Sequence, residues 1–254
     1  MADIRGILFD KDGTLVDFQK TWFAIGDQLA LQAAHGDRAG ADRLLAEAGY
    51  DFAASCFRAD SVFAAGTNAD VVALWYPAAS GAERRTLLAG FDVFTADQVA
   101  SRSVALPGSR EAIASLHGAG FRLGVATNDS TRGAERTLLA LGVAQMFDAV
   151  YGYDAVASPK PAPDIILAFC DLTGLGAGEI AVVGDNRHDL EMARAGGAGL
   201  AVAVLSGTGT RETLRPLADV VINSVADLPA CLAQRKKSRE AGGRRHGSAP
   251  QPKR

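Results

Sequence analysis

The sequence predicts an α/β protein, a doubly wound, Rossmann-like parallel sheet core interrupted by an inserted α-helical lobe. Short apolar runs alternate with helix-length amphipathic segments, the pattern that a parallel sheet with helical crossovers requires. The alternation stops over residues 17–104, which read almost wholly as helix, and resumes from residue 105. With 254 residues, 48% of them apolar and 22% charged, the chain can bury roughly three quarters of its unfolded surface in such a core.

The first strand is placed at 6–9 and runs straight into Asp10-Lys11-Asp12-Gly13-Thr14. The insertion follows, with Ala- and Leu-rich helical periodicity near 20–34, 39–48, 52–65, 68–76 and 82–89. Its position after the first strand lets it cover the carboxyl ends of the sheet, where ligands bind in open α/β folds. The core then alternates helix and strand: helices at 109–118, 132–141, 163–173, 189–195 and 210–217, strands at 122–127, 149–152, 180–183, 199–205 and 220–222. Gly118-Ala119-Gly120, Gly142 and Gly196-Gly197 stop three of these helices, as residues tolerant of positive φ should. The expected division is a core of 1–16 and 105–233, a lobe of 17–104, and a tail of 234–254. That tail, rich in Lys, Arg, Gly, Ser and Pro, is expected to be disordered.

Charge is unevenly spread. Residues 235–254 hold eight Lys or Arg and one Glu, a net of +7, so the overall −3 leaves −10 on residues 1–234. An acidic body argues against nucleic acid as a partner, because phosphate backbones are held by clustered cations. Cys56, Cys170 and Cys231 are odd in number and lack C-x-x-C spacing, so buried reduced thiols are expected instead of a disulfide or zinc framework. The N-terminus carries Asp3, Arg5 and Asp10 with no basic-then-apolar leader, and no 18-residue apolar stretch spans a membrane. A cytoplasmic protein without membrane association is the expectation.

Three strand ends and one proline-flanked lysine carry the chemistry. Asp10 and Asp12 lie two residues apart where the first apolar run stops. Taken alone they would make an acidic turn bent at Gly13. Thr127 and Asn128 follow the second long strand and can donate to phosphate oxygens, although by themselves they resemble a helix cap. Lys160 stands between Pro159 and Pro161, whose rings limit where its ammonium can point. Asp185 and Asp189, flanking Asn186 and His188, bring two more carboxylates to the mouth of the same sheet. Oxygen-rich clusters of this kind suit Mg2+, a hard cation that keeps waters and accepts substrate phosphate.

In order, DKDGTLVD, VATND, SPKPAPD and VVGDNRHDLEMARAGG resemble the four motifs of the haloacid dehalogenase superfamily, and the match spans residues 7–205. Within it the chain is most similar to the phosphoglycolate phosphatase-like branch, whose helical cap is inserted after the first motif. LPGSREAIASLHGAGFRLGVATN adds to that similarity. The resemblance implies a Mg2+-dependent phosphatase acting on a small phosphorylated metabolite, with phosphoglycolate as the family-level substrate. It implies Asp10 as nucleophile, forming an aspartyl-phosphate, and Asp12 as general acid and base. It further implies Mg2+ on the Asp10 carboxylate, the Asp12 main-chain carbonyl and Asp185, with Asp189 and Asn186 orienting metal waters. Thr127, Asn128 and Lys160 would hold the transferring phosphoryl oxygens.

Rival readings remain beside it. A dehalogenase lacks the second aspartate, and a phosphonatase uses a cap lysine, whereas residues 21–100 contain none. A sugar phosphomutase shares the first-motif aspartates, and a phospho-accepting receiver module also combines Asp, Thr and Lys on a parallel sheet. The 88-residue insertion and Asp12 argue against the receiver. Phe18 and Trp22 could face a substrate from the cap, and His188 reads as a loop histidine. Arg38, Arg43, Arg58, Arg84 and Arg85 are the cap cations available for a substrate carboxylate. Oligomeric state is not legible.

Overall fold

The computed structural model describes residues 3–245. In chain order the elements are β1 (Gly6–Phe9), α1 (Phe18–Ala33), α2 (Arg38–Glu47), β2 (Tyr50–Asp51), β3 (Cys56–Phe57), α3 (Val62–Ala65), α4 (Asn68–Trp75) and α5 (Gly81–Arg102). They continue with α6 (Ser109–Gly118), β4 (Arg122–Ala126), α7 (Thr131–Leu141), β5 (Ala149–Tyr151), α8 (Asp164–Thr173), β6 (Ile180–Gly184) and α9 (Arg187–Ala195). The last are β7 (Leu200–Val204), α10 (Arg211–Leu214), β8 (Val220–Ile222) and α11 (Leu228–Arg245).

Six strands form one parallel sheet in the order β5-β4-β1-β6-β7-β8. β1 is central because Ile7, Leu8 and Phe9 are all fully buried, and only a strand covered on both faces can carry an unbroken apolar run. The two-residue alternation splits that run. Ile7 and Phe9 join Leu123, Val125, Ala181, Val183 and Val202 under α6, α7 and α11. Leu8 joins Ile180, Val182 and Ala201 against Ile166 and Phe169 of α8 and Leu190 of α9. The chain leaves β1 toward β4 and β5, then returns to β6 on the other side of β1. The carboxyl ends of β1 and β6 therefore flank the point where strand order reverses, where a crevice opens in such sheets.

Residues 17–104 enclose an apolar cluster of their own. Phe18, Trp22, Ile25 and Leu29 of α1 pack with Leu45, Tyr50, Phe57, Val71, Trp75 and Phe91. Asp17 caps α1 through Lys20 N, Thr67 and Asp70 form a capping box at α4, and Ser80 and Glu83 form another at α5.

Three sequence expectations need correction here. The segment 52–65 is not one helix: Tyr50–Asp51 and Cys56–Phe57 pair as an antiparallel hairpin, followed by the single turn α3. Asp51 Oδ1 accepts from the N–H groups of both Ala53 and Ala54, a local bond that competes with helix formation, and Ser55 takes a φ of 53°. The tail expected to be disordered from Gln234 instead continues α11 to Arg245. Leu228 and Leu232 anchor its start, and the Ala, Gln, Arg, Lys and Glu that follow are good helix formers. Residues 246–254 lie outside the described residues. Cys56, Cys170 and Cys231 are free, half-buried instead of buried. Among the described residues, no helix is long and apolar enough to cross a membrane.

Candidate active site

Asp10 is the first residue beyond β1, and its N–H donates to the carbonyl of Val183 on β6 at 2.8 Å, so the sheet itself fixes its backbone. Its side chain is buried. Oδ1 accepts from Lys160 Nζ at 2.7 Å, while Oδ2 is out of water without a hydrogen-bond partner. Lys160 Nζ also reaches Asp189 Oδ1 at 2.6 Å. Burial, only partly offset by Lys160, and the nearby charges of Asp189 and Asp12 push the Asp10 carboxyl up to about 7.

Asp185, the first residue beyond β6, faces Asp10 across the switch point. Its Oδ2 accepts from Thr208 N at 2.7 Å, and Thr14 Oγ1 approaches Oδ1 at 3.5 Å. Burial and the Asp10 and Asp189 charges raise its pKa well above the ordinary carboxylate range. The approach around it is close: a Cβ at Gly207 would lie 1.9 Å from Asp185 Oδ2, and Gly13, at φ +86°, offers 2.7 Å to the same carboxylate. Asp189 begins the buried face of α9, and its Oδ2 accepts from Asn186 N at 3.0 Å in a capping box.

Ligand oxygens of Asp10, Asp185 and Asp189 lie within 4.8 Å of one another. Three buried carboxylates beside one ammonium leave an uncompensated negative charge, which is costly in a dry site. The all-oxygen donor set and the unpartnered Asp10 Oδ2 fit a hard divalent cation.

The remaining sequence candidates gather around the same cavity of about 60 Å³. Thr127, buried at the end of β4, accepts from Asp129 N at 3.1 Å through Oγ1. Asn128 Nδ2 donates to Ala65 O in the lobe at 2.8 Å and to Lys160 O at 3.2 Å, and its Oδ1 is unpartnered. Asn186 Oδ1 accepts from His188 N at 3.2 Å, whereas its Nδ2 has no partner. Asp12 also lines the cavity, but its carboxylate turns away from the Asp10 cluster toward Trp22 and Lys11. From the lobe come Phe18, Trp22, Phe63, the stretch 64–68 and Val71. His188 is not a free loop side chain: its Nδ1 meets Ala65 O at 3.2 Å.

None of the five arginines of residues 17–104 singled out from sequence lines this cavity. Arg38 pairs with Asp27 and Asp42, Arg43 approaches Asp37, and Arg84 donates to the carbonyls of Pro77 and Ala79. Sequence reasoning also passed over Lys11, Asp129, Ser206 and Thr208. Alternation along the strand end would have signalled Lys11, since the residue after Asp10 must point to the opposite side. Thr208 and Ser206 carry no such signal, as they reach Asp185 and the Gly13 carbonyl from a loop some two hundred residues away from β1.

Comparison with known proteins agrees with this geometry. The family model of haloacid dehalogenase-like hydrolases matches residues 4–197. IndB of Dickeya dadantii, named a probable phosphatase, is 40% identical over 116 residues, covering 46% of this chain and 50% of that protein. Phosphoglycolate phosphatase of Escherichia coli K12 is 29% identical over 255 residues, covering 91% of this chain and 93% of the enzyme. Among solved structures, a haloacid dehalogenase-like hydrolase from Bacteroides fragilis superposes with a TM-score of 0.70 at 18% identity, covering 89% of this chain and all of that one.

Proposed function

The chain belongs to the haloacid dehalogenase-like hydrolases and is a phosphoric monoester hydrolase, and from that premise we propose that it cleaves a small phosphate monoester through an acyl phosphate on Asp10, with Mg2+ as its metal. The observation that carries this reading is Asp10 Oδ2, a buried carboxylate oxygen with no partner, in a cavity it shares with Thr127, Asn128 and Lys160.

Asp10 attacks phosphorus as the bond to the leaving oxygen breaks. Lys160, the Thr127 hydroxyl and the main-chain N–H of Asn128 hold the equatorial oxygens, where charge is spread in the transition state. Asp12 gives its proton to the departing oxygen and later takes one from the water that cleaves the acyl phosphate. Asp10, Asp185 and the main-chain carbonyl of Asp12 would hold Mg2+, with Asp189 and Asn186 arranging its waters. Bound there, the metal supplies positive charge that lets an anionic carboxylate approach an anionic phosphate. The lobe of residues 17–104 acts as a cap, whose opening admits substrate and whose closure excludes water.

Phosphoglycolate, the substrate named for the Escherichia coli relative, is the first compound to assay. Stoichiometric release of inorganic phosphate identifies hydrolysis, whereas return of the phosphoryl group to a second position on a sugar would identify a phosphomutase. Rapid acid quench with radiolabelled substrate should trap phosphoprotein in the wild type and none in Asp10→Asn. Chelation with EDTA should stop turnover and Mg2+ restore it. An Asp10→Asn enzyme keeping more than about a hundredth of wild-type kcat, a loss below ~3 kcal/mol, would remove Asp10 as nucleophile.

A further inference from the structure

Lys11 is wholly buried between Asp10 and Asp12, in a place where sequence alone suggests a solvated turn. Its Nζ lies 2.6 Å from Asp12 Oδ2 and 3.1 Å from Asp129 Oδ2. Asp129 is fixed in turn by Ser130 N at 2.7 Å. The other Asp12 oxygen, Oδ1, accepts from Trp22 Nε1 at 2.6 Å, and the Lys11 ammonium lies 5.4 Å from the centre of the same indole. Trp22 and Asp12 line the cavity, whereas Lys11 does not.

One Asp12 oxygen is therefore held by a buried cation of the sheet, and the other is met by a donor carried on α1 of the lobe. An ammonium held between two carboxylates in a dry site cannot leave without exposing both, so the clamp is permanent. The indole is different, because it is carried on α1 of the lobe and not on the sheet.

We propose that Trp22 and Lys11 are positioning residues for Asp12: Lys11 fixes the carboxyl plane, and Trp22 completes its alignment only when the lobe lies over the sheet. This rests on the reading of Asp12 as general acid. When the proton on Asp12 passes to the leaving oxygen as that oxygen parts from phosphorus, the carboxylate left behind finds the Trp22 N–H donor and the Lys11 positive charge already beside it, with no reorganisation needed. A lobe displaced from the sheet takes the indole with it, so proton donation is coupled to closure.

The test uses two aryl phosphates that differ in need for an acid. Phenyl phosphate releases a basic oxyanion and needs the proton, while 2,4-dinitrophenyl phosphate does not. Trp22→Phe, which keeps the ring and removes the donor, should raise the ratio of kcat/KM for the dinitrophenyl over the phenyl ester about tenfold. Trp22→His, which restores a ring N–H, should recover part of it. Asp12→Asn should raise the ratio further than either. Because Trp22 and Trp75 are the chain's two tryptophans, the Trp22 indole N–H can also be followed by NMR in unaltered packing. It should resonate downfield in the wild type and move upfield in Asp12→Asn. Equal losses for both esters in Trp22→Phe, or an indole resonance indifferent to Asp12→Asn, would overturn the proposal. If Asp12→Asn itself leaves the ratio unchanged, the general acid is elsewhere and the parent reading fails with it.

Discussion

The ammonium of Lys160 sits between Asp10 and Asp189 at 2.7 and 2.6 Å, with Asp185 close by, so it acts on two quantities of opposite sign. On the proposed reading it would hold phosphoryl oxygens, and it would compete with any divalent cation for the same carboxylates. Lys160→Met should lower kcat/KM by about a hundredfold, ~2.7 kcal/mol, yet tighten Mg2+ binding several-fold in calorimetric titration. Weaker Mg2+ binding in that variant would mean that the ammonium organises the cluster instead of competing for it. At this scale the sequence picks out Asp10, Asp12, Thr127, Asn128, Lys160, Asp185 and Asp189 as candidates because each falls within a short motif, and the structure places all seven around one cavity. The bonds that orient them were not legible. Whether Asp12 faces Lys11 or Asp10 is decided by rotamers, and nothing in the sequence says that the Trp22 N–H ends on the Asp12 carboxylate.

Salt links at the strand starts tie the sheet to its flanks. Asp219 accepts from the N–H of Ala201 at 2.8 Å, one residue into β7, and pairs with Arg194 of α9. Asp148 does the same for β4, accepting from Leu123 N at 2.9 Å and pairing with Arg122. Burial raises the pKa of each, but the arginine and backbone donors outweigh it, so both carboxyls lie below their ordinary value of 3.8. A depressed folded-state pKa gives stability that is complete above the unfolded value and lost as pH falls through the folded one. Asp219→Asn should thus lower stability at pH 7 by under about 1 kcal/mol for a partly exposed pair, read as a lower Tm, with the difference closing near pH 2. A difference that persists at pH 2 would point to packing. Elements were legible wherever apolar period and helix stops agreed, as for 6–9, 109–118 and 220–222. The β2–β3 hairpin was not, since two-residue strands carry no period and the Asx turn at Asp51 hides in an alanine-rich stretch.

The lobe is held over the sheet by polar contacts more than by a shared core. Tyr153 OH donates to Asp92 Oδ2 at 2.7 Å, and Asn68 Nδ2 donates to Asp92 Oδ1 at 2.8 Å, which links the loop after β5 through α5 to the start of α4. Asn68 also lines the cavity, unlike any of the five arginines weighed from sequence. Specificity should follow lining, not charge. Asn68→Ala is expected to raise KM for the preferred substrate about tenfold, ~1.4 kcal/mol, while Arg→Gln at 38, 43, 58, 84 or 85 keeps KM within about twofold. A large KM effect at one of those arginines would require a closed state in which it swings inward. The break in alternation marks out residues 17–104 in the sequence, whereas which of their faces meets the sheet depends on packing that no local pattern encodes.

The register of β1 has a consequence for how the chain is made. Gly6 pairs with Arg122 on one side and with Ile180 on the other. During synthesis at 5–20 residues per second, the first strand waits roughly 9–35 s before its second neighbour is even translated. Until then a fully apolar strand has an open edge, the kind of surface that recruits chaperones or aggregates. Pairing at such sequence distance also makes for slow folding. The same delay is protective, because Asp10 cannot meet Asp185 before β6 docks. A product truncated before Ile180 is left with an unpaired edge and without its carboxylate cluster, so premature termination should yield aggregation-prone protein and no half-formed active site.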